Sequence, residues 1–307
     1  MKKVLVATDK PFAAAAVKAI QTIVEKAGYG FLLLEKYKTP QELHEALKDA
    51  NAVIIRSDII DKAAFEAAPN LEIVIRAGAG YDNIDLAEAT KHNVVVMNTP
   101  GQNSNAVAEL VFGMMVYMAR NKFDGSQGSE LRGKTLGLHA FGNVGRYVAL
   151  IAKGFGMDVY AYDPFLSAEA FAAAGVTAVK SVEELYEKSQ YISLHIPATA
   201  ETKNSINLNL LSRMPKGATL VNTARKEVIN EAELLQMFEQ RPDFKYLTDV
   251  EPGNAAALVE KFAARYYTTP KKMGAQTNEA NNNAGIAAAN QIHDFFEKKD
   301  VRFQVNK

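Results

Sequence analysis

Cysteine and tryptophan are both missing from the 307 residues. Without cysteine there can be no disulfide, no thiolate nucleophile and no thiolate-held zinc or iron–sulfur centre. An excess of charge of one sign is missing too, since 35 Lys+Arg face 35 Asp+Glu. Nucleic acid or an anionic membrane surface demands a cationic surplus, so neither is an expected partner. Long apolar runs are also lacking. No stretch reaches the ~18 residues of a transmembrane helix, and the run opening at Val4 meets Asp9 and Lys10 too early for a secretory leader. These absences predict a cytoplasmic protein with no membrane partner, whose cofactor, if it has one, is bound noncovalently.

A hydrophobic fraction of 48% against 23% charged residues is enough to bury a sizeable core. At ~100–200 residues per domain, the length fits one large or two ordinary domains. Short β-rich runs at 4–8, 31–34, 52–55, 72–75 and 94–97 alternate with Ala/Lys/Glu-rich segments such as 12–27 and 41–49. That alternation is the mark of a parallel sheet joined by helices. Asn98-Thr99-Pro100-Gly101 interrupts it, and Val107, Leu110, Val111, Met114, Met115 and Met118 then recur at helical spacing. Those methionines are read as core or subunit interface. After a polar loop at 121–133, a second block predicts strands at 135–140, 158–162, 191–196, 219–222, 246–250 and 266–269, and a last helix over 279–298.

One turn in this block has the order of a dinucleotide site. Thr135-Leu-Gly-Leu-His-Ala-Phe-Gly-Asn-Val-Gly-Arg146 runs strand, turn, helix, with Gly142 free to approach a pyrophosphate and Gly145 free to pack helix on strand. Helix amides at Asn143 and Val144 would face the phosphates. Ala140 stands where the G-x-G-x-x-G pattern has its first glycine, which predicts strain or a slightly different turn there. Asp163, at the end of the next strand, is suited to the ribose hydroxyls and would repel a 2′-phosphate, favouring NAD over NADP. His139 is read as a packed side chain.

Three further segments follow strands: Val221-Asn-Thr-Ala-Arg225, Thr248-Asp-Val-Glu251 and Thr269-Pro-Lys-Lys-Met-Gly-Ala275. Each delivers charged residues past a carboxyl end, where α/β sheets bind ligands. An Arg, a Glu and a Lys in one crevice could clamp a carboxylate and move a proton. With Arg56-Ser57, Arg76-Ala-Gly-Ala-Gly-Tyr-Asp-Asn-Ile-Asp85, Asn98-Thr-Pro-Gly-Gln-Asn103 and Glu279-Ala280, the chain resembles the D-isomer-specific 2-hydroxyacid dehydrogenases along nearly its whole length, and most of all their short phosphoglycerate-acting branch.

That resemblance implies an α/β architecture of two Rossmann/flavodoxin-like lobes with parallel sheets around an interdomain cleft. The substrate-binding domain would comprise 1–98 plus 281–307, and the NAD-binding domain 99–280. The implied activity is NAD-dependent oxidation of a phosphorylated 2-hydroxy acid, by a homodimer joined through the methionine-rich helix and the loop after it. Arg225 would hold the substrate carboxylate, Asp249 would line the nicotinamide pocket, and Glu251 would partner the acid–base residue. In the family that residue is a histidine after Thr-Pro; here Lys271 and Lys272 stand instead, and counting back from Gly274-Ala275 favours Lys272. His195, Ile196, Pro197, Thr223, Ala224, Gly274 and Ala275 would lie along the cofactor. Arg56, Ser57 and Arg76 would bind the substrate's phosphate end, and Ala77, Gly78, Ala79 and Gly80 would offer amides to its carboxylate. Glyoxylate/hydroxypyruvate reductases, other D-2-hydroxyacid reductases and a non-catalytic NAD-binding sensor share this framework and stay open as alternatives.

Overall fold

The computed structural model describes residues 1–306. Chain contacts divide it into two compact units, 1–103 with 276–307, and 104–275.

In the first unit, strands β1 (Lys3–Thr8), β2 (Gly30–Glu35), β3 (Ala52–Ile55), β4 (Ile73–Arg76) and β5 (Val95–Asn98) alternate with helices α1 (Ala14–Lys26), α2 (Pro40–Leu47), α3 (Lys62–Glu66) and α4 (Leu86–Lys91). The strands form one parallel sheet in the order β2-β1-β3-β4-β5. Continuous apolar runs such as Ala52-Val-Ile-Ile55, buried at every position, are what a strand covered on both faces requires. Local chemistry fixes the helix starts. Thr39 and Glu42 close a capping box ahead of Pro40, and the Asp61 and Asp85 carboxylates accept from Ala64 and Glu88 amides.

The second unit opens with α5 (Ser104–Ala119), whose Met114, Met115 and Met118 are buried in its core. Its strands are β6 (Thr135–His139), β7 (Asp158–Tyr162), β8 (Thr177–Ala178), β9 (Tyr191–Leu194), β10 (Thr219–Asn222), β11 (Lys245–Thr248) and β12 (Tyr266–Thr268). Helices α6 (Asn143–Gly154), α7 (Ala168–Ala173), α8 (Val182–Lys188), α9 (Leu208–Leu211), α10 (Glu231–Gln240) and α11 (Ala255–Phe262) connect them. The seven strands run parallel in the order β12-β11-β10-β9-β6-β7-β8. The order reverses between β6 and β9, the switch point at which such sheets take ligands. Two apolar clusters pack this unit, one around Val111, Leu138, Val148 and Leu247, the other around Leu194, Leu220, Leu234 and Tyr246.

The last helix, α12 (Asn278–Lys298), belongs to the first unit, where its Ala284, Ala288 and Ile292 pack with Phe12, Ile20 and Ile54. Among the described residues no helix is long and apolar enough to cross a membrane.

Candidate active site

The glycine turn lies at the end of β6. Ala140 adopts φ 77°, a left-handed conformation that costs a residue with a β-carbon about 1–2 kcal/mol. The expected strain is therefore present, and it is held on both sides. Ala140 N donates to Tyr162 O at 2.9 Å, and the next amide, Phe141 N, donates to Asp163 Oδ2 at 2.9 Å. Gly145 is required by close approach, since a β-carbon there would fall 2.7 Å from Ala140 O. The first intrahelical bond of α6 runs from Arg146 N to Gly142 O, leaving the amides of Asn143, Val144 and Gly145 outside the helix ladder. Gly142 has open space beside it. Asp163 Oδ1 accepts from Phe165 N at 3.0 Å, so each of its oxygens takes one backbone bond and keeps a second acceptor position.

Beneath this turn two histidines stand at the ends of neighbouring strands, with His195 N donating to His139 O at 2.9 Å. His139 is buried and its Nδ1 lies 3.3 Å from the Tyr186 hydroxyl. Burial lowers its pKa to about 4, the Asp163 carboxylate opposing only in part. Burial, then the neighbouring His139, lowers His195 to about 3. His195 keeps some exposed surface, but its Nε2 is sealed and has no hydrogen-bond partner, as is the case for Thr223 Oγ1. Ile196 is buried and Pro197 exposed. Unmade helix amides and buried polar atoms without partners, grouped at a sheet's switch point, fit a dinucleotide.

Arg225, Glu251 and the lysine pair follow β10, β11 and β12, three neighbours in the same sheet. Asn222, which the sequence reading passed over, organises the first of these turns. Fully buried, it accepts from Ala224 N at 2.9 Å and donates to Arg225 O at 2.9 Å, while Arg225 Nη1 reaches Ala224 O at 2.9 Å. A polar residue closing the apolar run Thr219-Leu-Val-Asn222 was the available signal. Asp249 is also buried, and its carboxylate accepts from Thr269 Oγ1, Met273 N and Gly274 N, each at 2.8 Å. Ala275 is half-buried; Glu251, Lys271 and Lys272 are exposed. The Glu251 charge adds to burial in raising the Tyr266 pKa to about 12.

In the first unit, Arg56 Nη1 donates to Lys10 O and Pro11 O at 2.8 and 3.2 Å, Nη2 donates to Asn281 Oδ1 at 2.6 Å, and the guanidinium lies 5.2 Å from the Phe12 ring centre. Nε and one Nη2 hydrogen are left for an anion. Burial lowers the Arg56 pKa, and Asp58 and Asp9 counter it. Arg76 Nε donates to Arg56 O at 3.1 Å. Ser57 is exposed and lines a cavity of ≈ 350 Å³ with Asp9, Lys38 and His44. The amides of Ala77 and Gly78 donate to Ile55 O and Arg76 O, both at 2.8 Å, where the chain turns out of β4.

Fold and turn together define a dinucleotide-binding protein. The family profile for the D-isomer specific 2-hydroxyacid dehydrogenase NAD-binding domain matches residues 105–269. D-3-phosphoglycerate dehydrogenase of Methanocaldococcus jannaschii is 35% identical over 271 residues, 83% of this chain and 51% of that protein. The Homo sapiens protein of the same name is 34% identical over 295 residues, 90% of this chain and 55% of that one. The chain thus spans about half the length of the curated relatives it matches. The NAD+-bound 3-phosphoglycerate dehydrogenase of Entamoeba histolytica superposes with a TM-score of 0.86 at 48% identity, covering 100% of this chain and 99% of that one. This chain belongs to the D-isomer-specific 2-hydroxyacid dehydrogenase family.

Proposed function

We propose that this chain oxidises D-3-phosphoglycerate to 3-phosphohydroxypyruvate, with NAD taking the hydride and a lysine taking the proton. The carrying observation is that Arg225, Glu251 and the lysine pair each follow the carboxyl end of one of three adjacent strands in the glycine turn's own sheet. The 48% identity to the Entamoeba histolytica enzyme supports the choice of substrate.

The amides of Asn143, Val144 and Gly145 hold the cofactor's pyrophosphate, and Asp163 holds its ribose. Thr223, Ala224, His195, Ile196 and Pro197 lie along it. When bound, NAD supplies the hydride acceptor. Arg225 takes the substrate carboxylate in its two-pronged fork, and Arg56 and Arg76 take the phosphate. The lysine amine, Lys272 in our reading, accepts the proton of the 2-hydroxyl as hydride leaves the 2-carbon. Glu251 steadies the ammonium that results. An ordinary lysine amine is deprotonated only near pH ~10.4, so oxidation rises toward alkaline pH and the ammonium form suits the reverse reduction.

The test is NADH absorbance with 3-phosphoglycerate, glycerate, lactate and malate across pH 7–10. Turnover is expected with the phosphorylated acid alone and should climb with pH. Equal turnover of all four would remove the phosphate assignment, and tight NADH binding without turnover would favour a sensor. We also read the chain as a cytoplasmic homodimer. The apolar Tyr147 and Leu150 on α6, 41% and 66% exposed, support an apolar contact at that surface. Sedimentation velocity should give twice the chain mass; a single-chain value rejects the dimer.

A further inference from the structure

Asp249 is an ionisable side chain only 2% exposed, and every hydrogen bond its carboxylate makes goes to one short segment. Oδ1 accepts from the Thr269 hydroxyl and the Met273 amide, and Oδ2 accepts from the Gly274 amide. Those donors bracket Pro270, Lys271 and Lys272, so both ends of the lysine-bearing loop close on a single carboxylate. Three donors converging on one group call for an acceptor-only side chain. An asparagine would turn an N–H toward one of them. Position 274 is matched to the same contact, because a β-carbon on Gly274 would come within 2.9 Å of Asp249 Oδ2.

We propose that Asp249 is the positioning residue of the acid–base lysine, anchoring the loop that carries it. This rests on the lysine reading given above and deepens it. The side chain acts through the loop, with two of its donors on Oδ1 and the third on Oδ2.

The experiment compares the wild-type chain with Asp249→Asn and with Thr269→Val, a milder change that removes one donor and leaves the carboxylate. Amide hydrogen exchange is measured over 270–275 in the free protein, NADH affinity by fluorescence, and kcat and KM with 3-phosphoglycerate. In Asp249→Asn, exchange over 270–275 should quicken about tenfold or more while the β-sheet peptides hold. Its kcat should fall about 100-fold, the cost of a misplaced catalytic group, with NADH affinity kept within about threefold. Thr269→Val should move exchange and kcat the same way by less. Should Asp249→Asn fail to fold, the Thr269→Val pair of readings decides. Unchanged exchange in the variants overturns the anchor. NADH affinity falling in step with kcat overturns it too, since Asp249 would then be a cofactor ligand. Accelerated exchange with full kcat ends the positioning role. Failure of the lysine reading is recognised separately, by alanine at Lys271 and at Lys272 each leaving kcat intact.

Discussion

Lys272→Ala is expected to lower kcat for 3-phosphoglycerate oxidation about 10³-fold, whereas Lys271→Ala should change it by less than about threefold. Both side chains are exposed neighbours on the same loop, so a general effect of lost charge or loop packing would weaken the two variants alike. A base is different, because only one amine can reach the 2-hydroxyl proton. The pH dependence sharpens the contrast. In the wild type, log kcat should rise with a slope of about one per pH unit below the amine's pKa while chemistry limits the rate. Lys272→Ala should lose that slope, and added methylamine should restore part of the rate by supplying a diffusible base. Two small losses would take lysine out of the mechanism altogether. A large loss at Lys271 with a small one at Lys272 would keep the chemistry and move the assignment by one residue.

The strands at 52–55, 158–162 and 219–222 were legible to the residue. The first is apolar and buried throughout, while Asp158 and Asn222 are polar residues that mark a start and an end of the other two. The short helices α3, α4 and α11 were not legible, because five to eight residues carry too few turns for a 3.6-residue period to emerge. They depend on caps such as Asp61 and on packing. The same divide runs through the site. Arg225, Glu251 and the lysines could be picked out because each follows a strand, and strand ends can be read locally. Asp249 gained its structural part only from tertiary register, its partners lying 20 to 25 residues further on, whereas Asn222 bonds to Ala224 and Arg225 within its own turn. The exit turn from β4, where the Ala77 and Gly78 amides close on Ile55 O and Arg76 O, is likewise not announced by a glycine-rich run after a strand.

The buried histidines predict how the fold responds to acid. Folded, His139 and His195 titrate near pH 4 and 3, against 6.5 for the free side chain. Between those limits the unfolded chain binds more protons than the folded one, so stability must fall as pH drops below about 6.5. Each group contributes at most about 1.4 kcal/mol per pH unit, and the pair on the order of 5 kcal/mol by pH 4.5. That is comparable to the whole stability of a domain. The cost arises because a charged His139 would meet only the Tyr186 hydroxyl at 3.3 Å and the opposing pull of Asp163, while a charged His195 would leave Nε2 sealed without a partner. His195→Gln removes one titrating group and keeps a polar side chain, so urea-unfolding free energies between pH 6 and 4.5 should decline less steeply than in the wild type, by about 1.4 kcal/mol per pH unit. Carboxylates that titrate in the same range act equally on both proteins and cancel in the comparison. Parallel declines would mean that His195 takes up its proton as readily in the folded chain as in the unfolded one, and the sealed pair could not then be the source of acid lability.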